Sequence, residues 1–212
     1  MRQRAALILS VTLLLVAGAA VGGWRWWHAR PPYGPEVLAA TATLSLVDQA
    51  TMDAAFAPRT PEQAGDGDQI FLGRVTWQRP PDPQKNGTFR IVVLDKRTHL
   101  MPGFVNATSA RPDDVSSGSD GSLDVAEERY PWLAGVGARE IDGGYWTSGS
   151  AVTVTSVDAS PVTFAVVLRP EVPGTLPHMA VATAPAAVGD LLVALVNVGP
   201  DGQVYWAQRL LN

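Results

Sequence analysis

Along its 212 residues the chain changes hydrophobic rhythm near residue 24. Residues 5–23, AALILSVTLLLVAGAAVGG, run for 19 positions without a charge. Beyond them apolar residues come in short alternating stretches separated by Pro, Gly, Ser and Asp. Alternation with period two is the pattern of a strand with one buried face. In Gln69–Gln78 it puts Phe71, Val75 and Trp77 on one side and Arg74 and Thr76 on the other. In Thr88–Asp95 it aligns Phe89, Ile91 and Val93. Ala151–Val157 alternates Val with Thr, and Pro161–Pro170 aligns Val162, Phe164, Val166 and Leu168. The turn-forming DASP between the last two predicts a hairpin. Glu36–Val47 reads as a further strand.

The last strands are the clearest. Leu191–Val198 is almost continuously apolar, which predicts a central strand covered on both faces. Leu191, Val193 and Leu195 would lie on one side, and Leu192, Ala194, Val196 and Val198 on the other. GPDG (residues 199–202) then turns the chain into Gln203–Leu211, where Val204 and Trp206 share a face. Two stretches suit helices. Asp48–Ala57 has an Asp cap, and Ser122–Tyr130 is stopped by Pro131. The expected fold is mainly β. It is an antiparallel β-sandwich of about seven to nine short strands with one or two short helices, preceded by a single N-terminal transmembrane helix.

That helix is residues 5–23, just long enough at 1.5 Å per residue to cross about 30 Å of hydrocarbon. Trp24, Trp26 and Trp27 follow where tryptophan favours the headgroup zone, and Arg25 and Arg30 can reach phosphates. The expected organisation is a cytoplasmic tail (1–4), an anchor (5–23), an interfacial and Pro-rich spacer (24–35) and an extracytoplasmic β domain (36–212). The short tail favours an inside N-terminus. A cleaved signal peptide, ending in the small residues Ala17–Ala19 with a mature start at Ala20, is the alternative. The apolar run past that point and the aromatic–basic collar favour the uncleaved anchor.

Composition narrows the function. Cysteine is absent, which removes disulfides, thiol nucleophiles and thiolate zinc sites. Arg outnumbers Lys by 14 to 2, the bias of a high-GC bacterial coding sequence. Residues 31–212 carry 12 basic and 20 acidic side chains and no basic stripe, so nucleic acid is not an expected partner. No cofactor motif is found: no Gly-rich phosphate loop, no Gly-x-Ser-x-Gly and no Ser-x-x-Lys. His28 and His178 lack metal-ligand spacing with any other histidine. In Ser116–Glu127, Asp120, Asp124 and Glu127 fall at the late positions of a calcium loop. Ser116 and Gly118 stand where earlier oxygen ligands are wanted, so an acidic loop is the preferred reading.

Three stretches hold the remaining candidates. As a strand, LDKRTH (Leu94–His99) would align Asp95, Arg97 and His99, and an imidazole beside a carboxylate is an acid–base pair. ERYPWLAG and GGYWTSG place Tyr130, Trp132, Tyr145 and Trp146 in loop-like contexts, where flat rings stack on sugars, enter a partner's pocket, or plug the ends of a sandwich. LDKRTHL, AEERYPWLAG and GPDGQVYWAQRLL behind an N-terminal anchor resemble uncharacterised single-pass envelope proteins of high-GC Gram-positive bacteria. The resemblance implies a location and carries over no functional residue. The expected function is a membrane-anchored, extracytoplasmic, non-enzymatic module. It would contact the bilayer through residues 5–30 and bind an envelope protein or glycan. The alternative is an envelope hydrolase or transferase.

Overall fold

The structure is a computed structural model. It describes residues 12, 15–24, 33–81, 88–118, 129–133, 138–141, 144–147, 149–170, 181–199 and 204–212, with the backbone alone at 104, 138–141 and 144–147. The chain divides into two compact units, Met1–Pro31 and Pro32–Asn212. In the first, residues 15–24 are helical and exposed. Among the described residues no helix is long and apolar enough to cross a membrane. Of the 5–23 stretch only residue 12 and residues 15–23 are described. Trp24 is described and exposed, whereas Arg25, Trp26, Trp27 and Arg30 lie outside the described residues.

The second unit is mainly β. Its strands are β1 Thr41–Val47, β2 Gln69–Thr76, β3 Thr88–Asp95, β4 Phe104–Ser109, β5 Val115–Gly118, β6 Ala138–Ile141, β7 Gly144–Thr147, β8 Ala151–Val154, β9 Val162–Leu168, β10 Leu191–Val198 and β11 Val204–Leu211. They form two antiparallel sheets, ordered β1-β2-β9-β4 and β11-β10-β3-β8-β5, and a separate β6-β7 ladder. The sheets face each other across one core. Phe71 and Val75 of β2 and Phe164, Val166 and Leu168 of β9 meet Phe89, Ile91 and Val93 of β3 and Val193 and Leu195 of β10. Gly73 pairs with Phe164, and a Cβ at Gly73 would overlap that ring, so only glycine lets the ring lie over the strand.

The outward faces are also apolar, and each has its own cover. Met52 and Phe56 of the Gln49–Phe56 helix pack on Ile70, Ala165 and Val167 of the four-stranded sheet. The Asp48 carboxylate caps that helix, accepting the Thr51 N–H at 2.9 Å. Leu133, with Tyr130 and Trp132, packs on Val92, Leu94, Leu192, Ala194 and Val196 of the five-stranded sheet. This cover explains why every residue of β10 is buried, as its almost continuously apolar sequence requires. The β10–β11 hairpin forms as expected, with a register shift between Asn197 and Val198. Its tip, residues 200–203, lies outside the described residues.

Three local expectations are corrected. Glu36–Val47 is not one strand: a helical turn, Pro35–Leu38, precedes β1. Proline pre-sets the first helical φ, Leu38 is fully buried, and Ala39 turns the chain at φ 44°. Ala151–Val157 and Pro161–Pro170 do not form a hairpin, because β8 pairs with β3 and β5 while β9 pairs with β2 and β4. The connection crosses between sheets because Val157 and Ala159 are themselves core residues, and the Ser160 hydroxyl is tied to the Trp77 backbone. The expected spacer, residues 24–35, is not wholly a spacer either. The second unit starts at Pro32, and Tyr33 packs on the core, its carbonyl accepting the Trp206 Nε1–H at 2.9 Å. The Ser122–Tyr130 helix falls mostly outside the described residues.

Candidate functional site

Three stretches singled out in the sequence meet at one corner of the five-stranded sheet. β3 ends there, β10 begins there, and β11 and the 129–133 segment close the sides. The result is a cleft of about 140 Å³. Leu94 and Leu192 form its floor, Trp132 and Arg209 one wall, and Lys96 and His99 its mouth, with Asp95 and Asn212 also lining it.

The LDKRTH stretch builds the mouth, though not as the strand expected. β3 stops at Asp95, and residues 96–99 form a turn. The cause is the Asp95 side chain. Its Oδ1 accepts the Arg97 backbone N–H at 2.9 Å, a local bond that competes with continued strand pairing. His99 then takes a left-handed conformation (φ 58°), donating its N–H to the Asp95 carbonyl at 2.7 Å. The chain returns so that Asp95 bridges Leu100. Asp95 and His99 therefore reach one cleft through a turn rather than a shared strand face.

The carboxylate of Asp95 is fully buried and already partnered. The Arg97 guanidinium donates from Nε to Oδ1 at 3.0 Å and from Nη2 to Oδ2 at 2.6 Å. Arg97 also donates to the Pro185 carbonyl at 2.8 Å and approaches Asp190 at 3.9 Å, binding the 183–190 segment to the end of β3. Burial alone would raise the Asp95 pKa. The hydrogen bonds and charge of Arg97, with the Thr98 N–H, outweigh it and hold the group below its ordinary value.

The aromatic wall is held from two sides. The Arg209 guanidinium lies over the Trp132 ring, 4.8 Å from its centre. Tyr130 meets Trp132 edge-on at 6.1 Å. Arg129 lies over Tyr130 and donates to the Tyr205 carbonyl at 2.9 Å. The 129–133 segment is thus pinned to β11 at two points, with Leu133 buried beneath. Tyr130 and Trp132 are half-buried on the sheet, so each covers apolar surface and keeps an exposed edge.

Tyr145 and Trp146 do not sit in a loop. Their backbone belongs to β7, opposite Glu140 and Arg139 of β6, and their side chains lie outside the described residues. Asp120, Asp124 and Glu127 also lie outside them. Among the described residues no group of three His, Asp or Glu side chains is placed to hold a metal ion.

Sequence reading missed Lys96, Arg209, Leu94 and Leu192. Arg209 leaves one trace: in QVYWAQRLL it is a lone cation on a strand otherwise suited to half-burial. The chain matches no family model and no curated protein sequence.

Proposed function

We propose that the chain is a membrane-tethered, extracytoplasmic binding module of a bacterial envelope, which takes an envelope glycan or protein at the cleft beside Trp132. The tether is assigned on sequence grounds to residues 5–23 and the following Trp–Arg collar. One observation carries the binding reading. Three stretches far apart in sequence bring Lys96, His99, Trp132 and Arg209 around one cleft with an apolar floor. The hydrolase or transferase alternative would use Asp95 with His99. Both line the cleft, but the Asp95 carboxylate is occupied by Arg97, and this favours binding over acid–base chemistry.

Location and binding are tested together. Protease added to intact, wall-stripped cells should degrade the β domain. N-terminal sequencing of the membrane fraction should find Met1. A mature start at Ala20 would replace the tether with a cleaved signal peptide, and protection from protease would overturn the topology. Capture of envelope material by the full chain should be lost in Trp132→Ala, and unchanged capture would remove the cleft from the function.

A further inference from the structure

We infer that the cleft selects an anionic sugar, a single ring carrying phosphate or carboxylate. This rests on the reading of the cleft as the binding site and names the class of its ligand.

Charge carries the first step. The domain is acidic, with 12 basic against 20 acidic side chains from residue 31 onward. Four of the nine arginines whose side chains are described in it are spent on carboxylates: Arg79, Arg97, Arg111 and Arg169 each have one within 4.0 Å. Lys96 and Arg209 have none among the described residues, and both line the cleft. The buried carboxylate there, Asp95, is neutralised by Arg97. The cleft is therefore a cationic spot on an acidic domain.

Geometry gives the second step. The Arg209 guanidinium lies over the Trp132 ring, 4.8 Å from its centre, so the ring covers it on that side. A stacked guanidinium has lost much of its freedom before any ligand arrives, and its planar fork matches an oxyanion. Leu94, Leu192 and Trp132 supply the apolar surface that packs on the C–H face of a sugar ring, and His99 supplies a nitrogen for a hydroxyl. About 140 Å³ is small beside the roughly 300–1,000 Å³ of sites that enclose drug-sized ligands. It suits one ring or a chain end rather than a peptide.

Position gives the third. Tyr33, the first described residue of the domain, is bonded to Trp206, which pairs with Asn197 near the end of β10. The cleft is at Leu192, five residues back along that strand, or about 17 Å at 3.4 Å per residue. It lies at the opposite end of the sheet from the point where the chain enters the domain. A soluble or wall-borne anion and a lipid headgroup share this chemistry, and the vesicle arm of the test separates them.

The test is calorimetric titration of the full chain in detergent with glucose 6-phosphate, glucuronate, glucose and inorganic phosphate. Flotation of the full chain with phosphatidylglycerol vesicles and with phosphatidylcholine vesicles forms a separate arm. Glucose 6-phosphate and glucuronate should each bind at least about tenfold more tightly than glucose or inorganic phosphate. Arg209→Gln and Lys96→Gln should each lose about tenfold, with Arg209→Lys intermediate. Arg74→Gln, on the outer face of the other sheet, should bind as the parent does.

Equal binding of glucose, or full binding by both Gln variants, would overturn anion selection. So would binding confined to phosphatidylglycerol vesicles, or to none of the probes. If glucose binds and Trp132→Ala abolishes it, the cleft remains a binding site and only the anionic class fails. If Trp132→Ala leaves every bound probe unaffected, the cleft reading itself fails.

Discussion

Asp95 shows how one side chain both ends a strand and secures a corner of the fold. Its carboxylate accepts the Arg97 N–H, which turns the chain, and the Arg97 guanidinium, which ties in the 183–190 segment. Because its pKa is lowered on folding, the stability it contributes is complete above the unfolded value near 3.9. That contribution is lost as pH falls through the lower folded value. Asp95→Asn should therefore destabilise the protein at neutral pH by about 2 kcal/mol, the range for hydrogen bonds to charged groups. The figure stays below that of a fully buried pair because the Arg97 side chain is 43% exposed. The gap between variant and parent should narrow below pH 4. Thermal melts from pH 3 to 7 check this, and a gap constant across that window would overturn the ionic account. Asp95 and His99 were legible as neighbours in sequence. That Arg97 takes the carboxylate was not, because strand spacing and turn spacing place residue 97 differently.

At the scale of elements, continuous apolar runs, the Asp48 cap and the β10–β11 hairpin were read correctly, and the β8–β9 connection was not. β10 and β11, the Asp48-capped helix, and the inward faces of β2, β3 and β9 follow from local pattern alone. The β8–β9 connection looks like a hairpin because DASP can turn. Val157 and Ala159 instead bury between the sheets and carry the chain across. The β10–β11 hairpin holds one element-level conflict. Alternation puts Asn197 on the inner face with Val193 and Leu195, opposite Trp206. It is fully buried, and its amide nitrogen and oxygen have no hydrogen-bond partner among the described residues. Such a group forfeits its hydration without return, so an apolar residue of similar size should be better tolerated. Asn197→Leu should raise the melting temperature, by about 1–2 kcal/mol in stability. A lowered melting temperature would overturn this and show that the amide holds a partner.

For the whole molecule, the domain boundary is the feature that packing moved. Residues 24–35 read as an interfacial and Pro-rich spacer, yet Tyr33 docks on the core and takes the Trp206 indole N–H, with Trp206 only 4% exposed. Burial also pushes the Tyr33 phenol pKa up. A fragment of residues 32–212 should melt in one cooperative transition. A fragment of residues 36–212 should melt lower by several degrees, because an unpartnered buried donor costs about 1–3 kcal/mol and each kcal/mol is worth about 2–4 °C at this size. Equal midpoints would return residues 32–35 to the spacer.

The sequence by itself determined the mainly β class, the strands and their buried faces, and the capped helix. Each depends on residues within one or two turns of each other, where periodicity and capping act directly. Only the tertiary structure decided which sheet each strand joined, that β8 and β9 part company, and that Tyr33 belongs to the domain. It alone brought Lys96, Trp132 and Arg209 to one cleft. These contacts link residues tens of positions apart. They are settled by how two sheets and their covering segments bury each other, which no local pattern encodes.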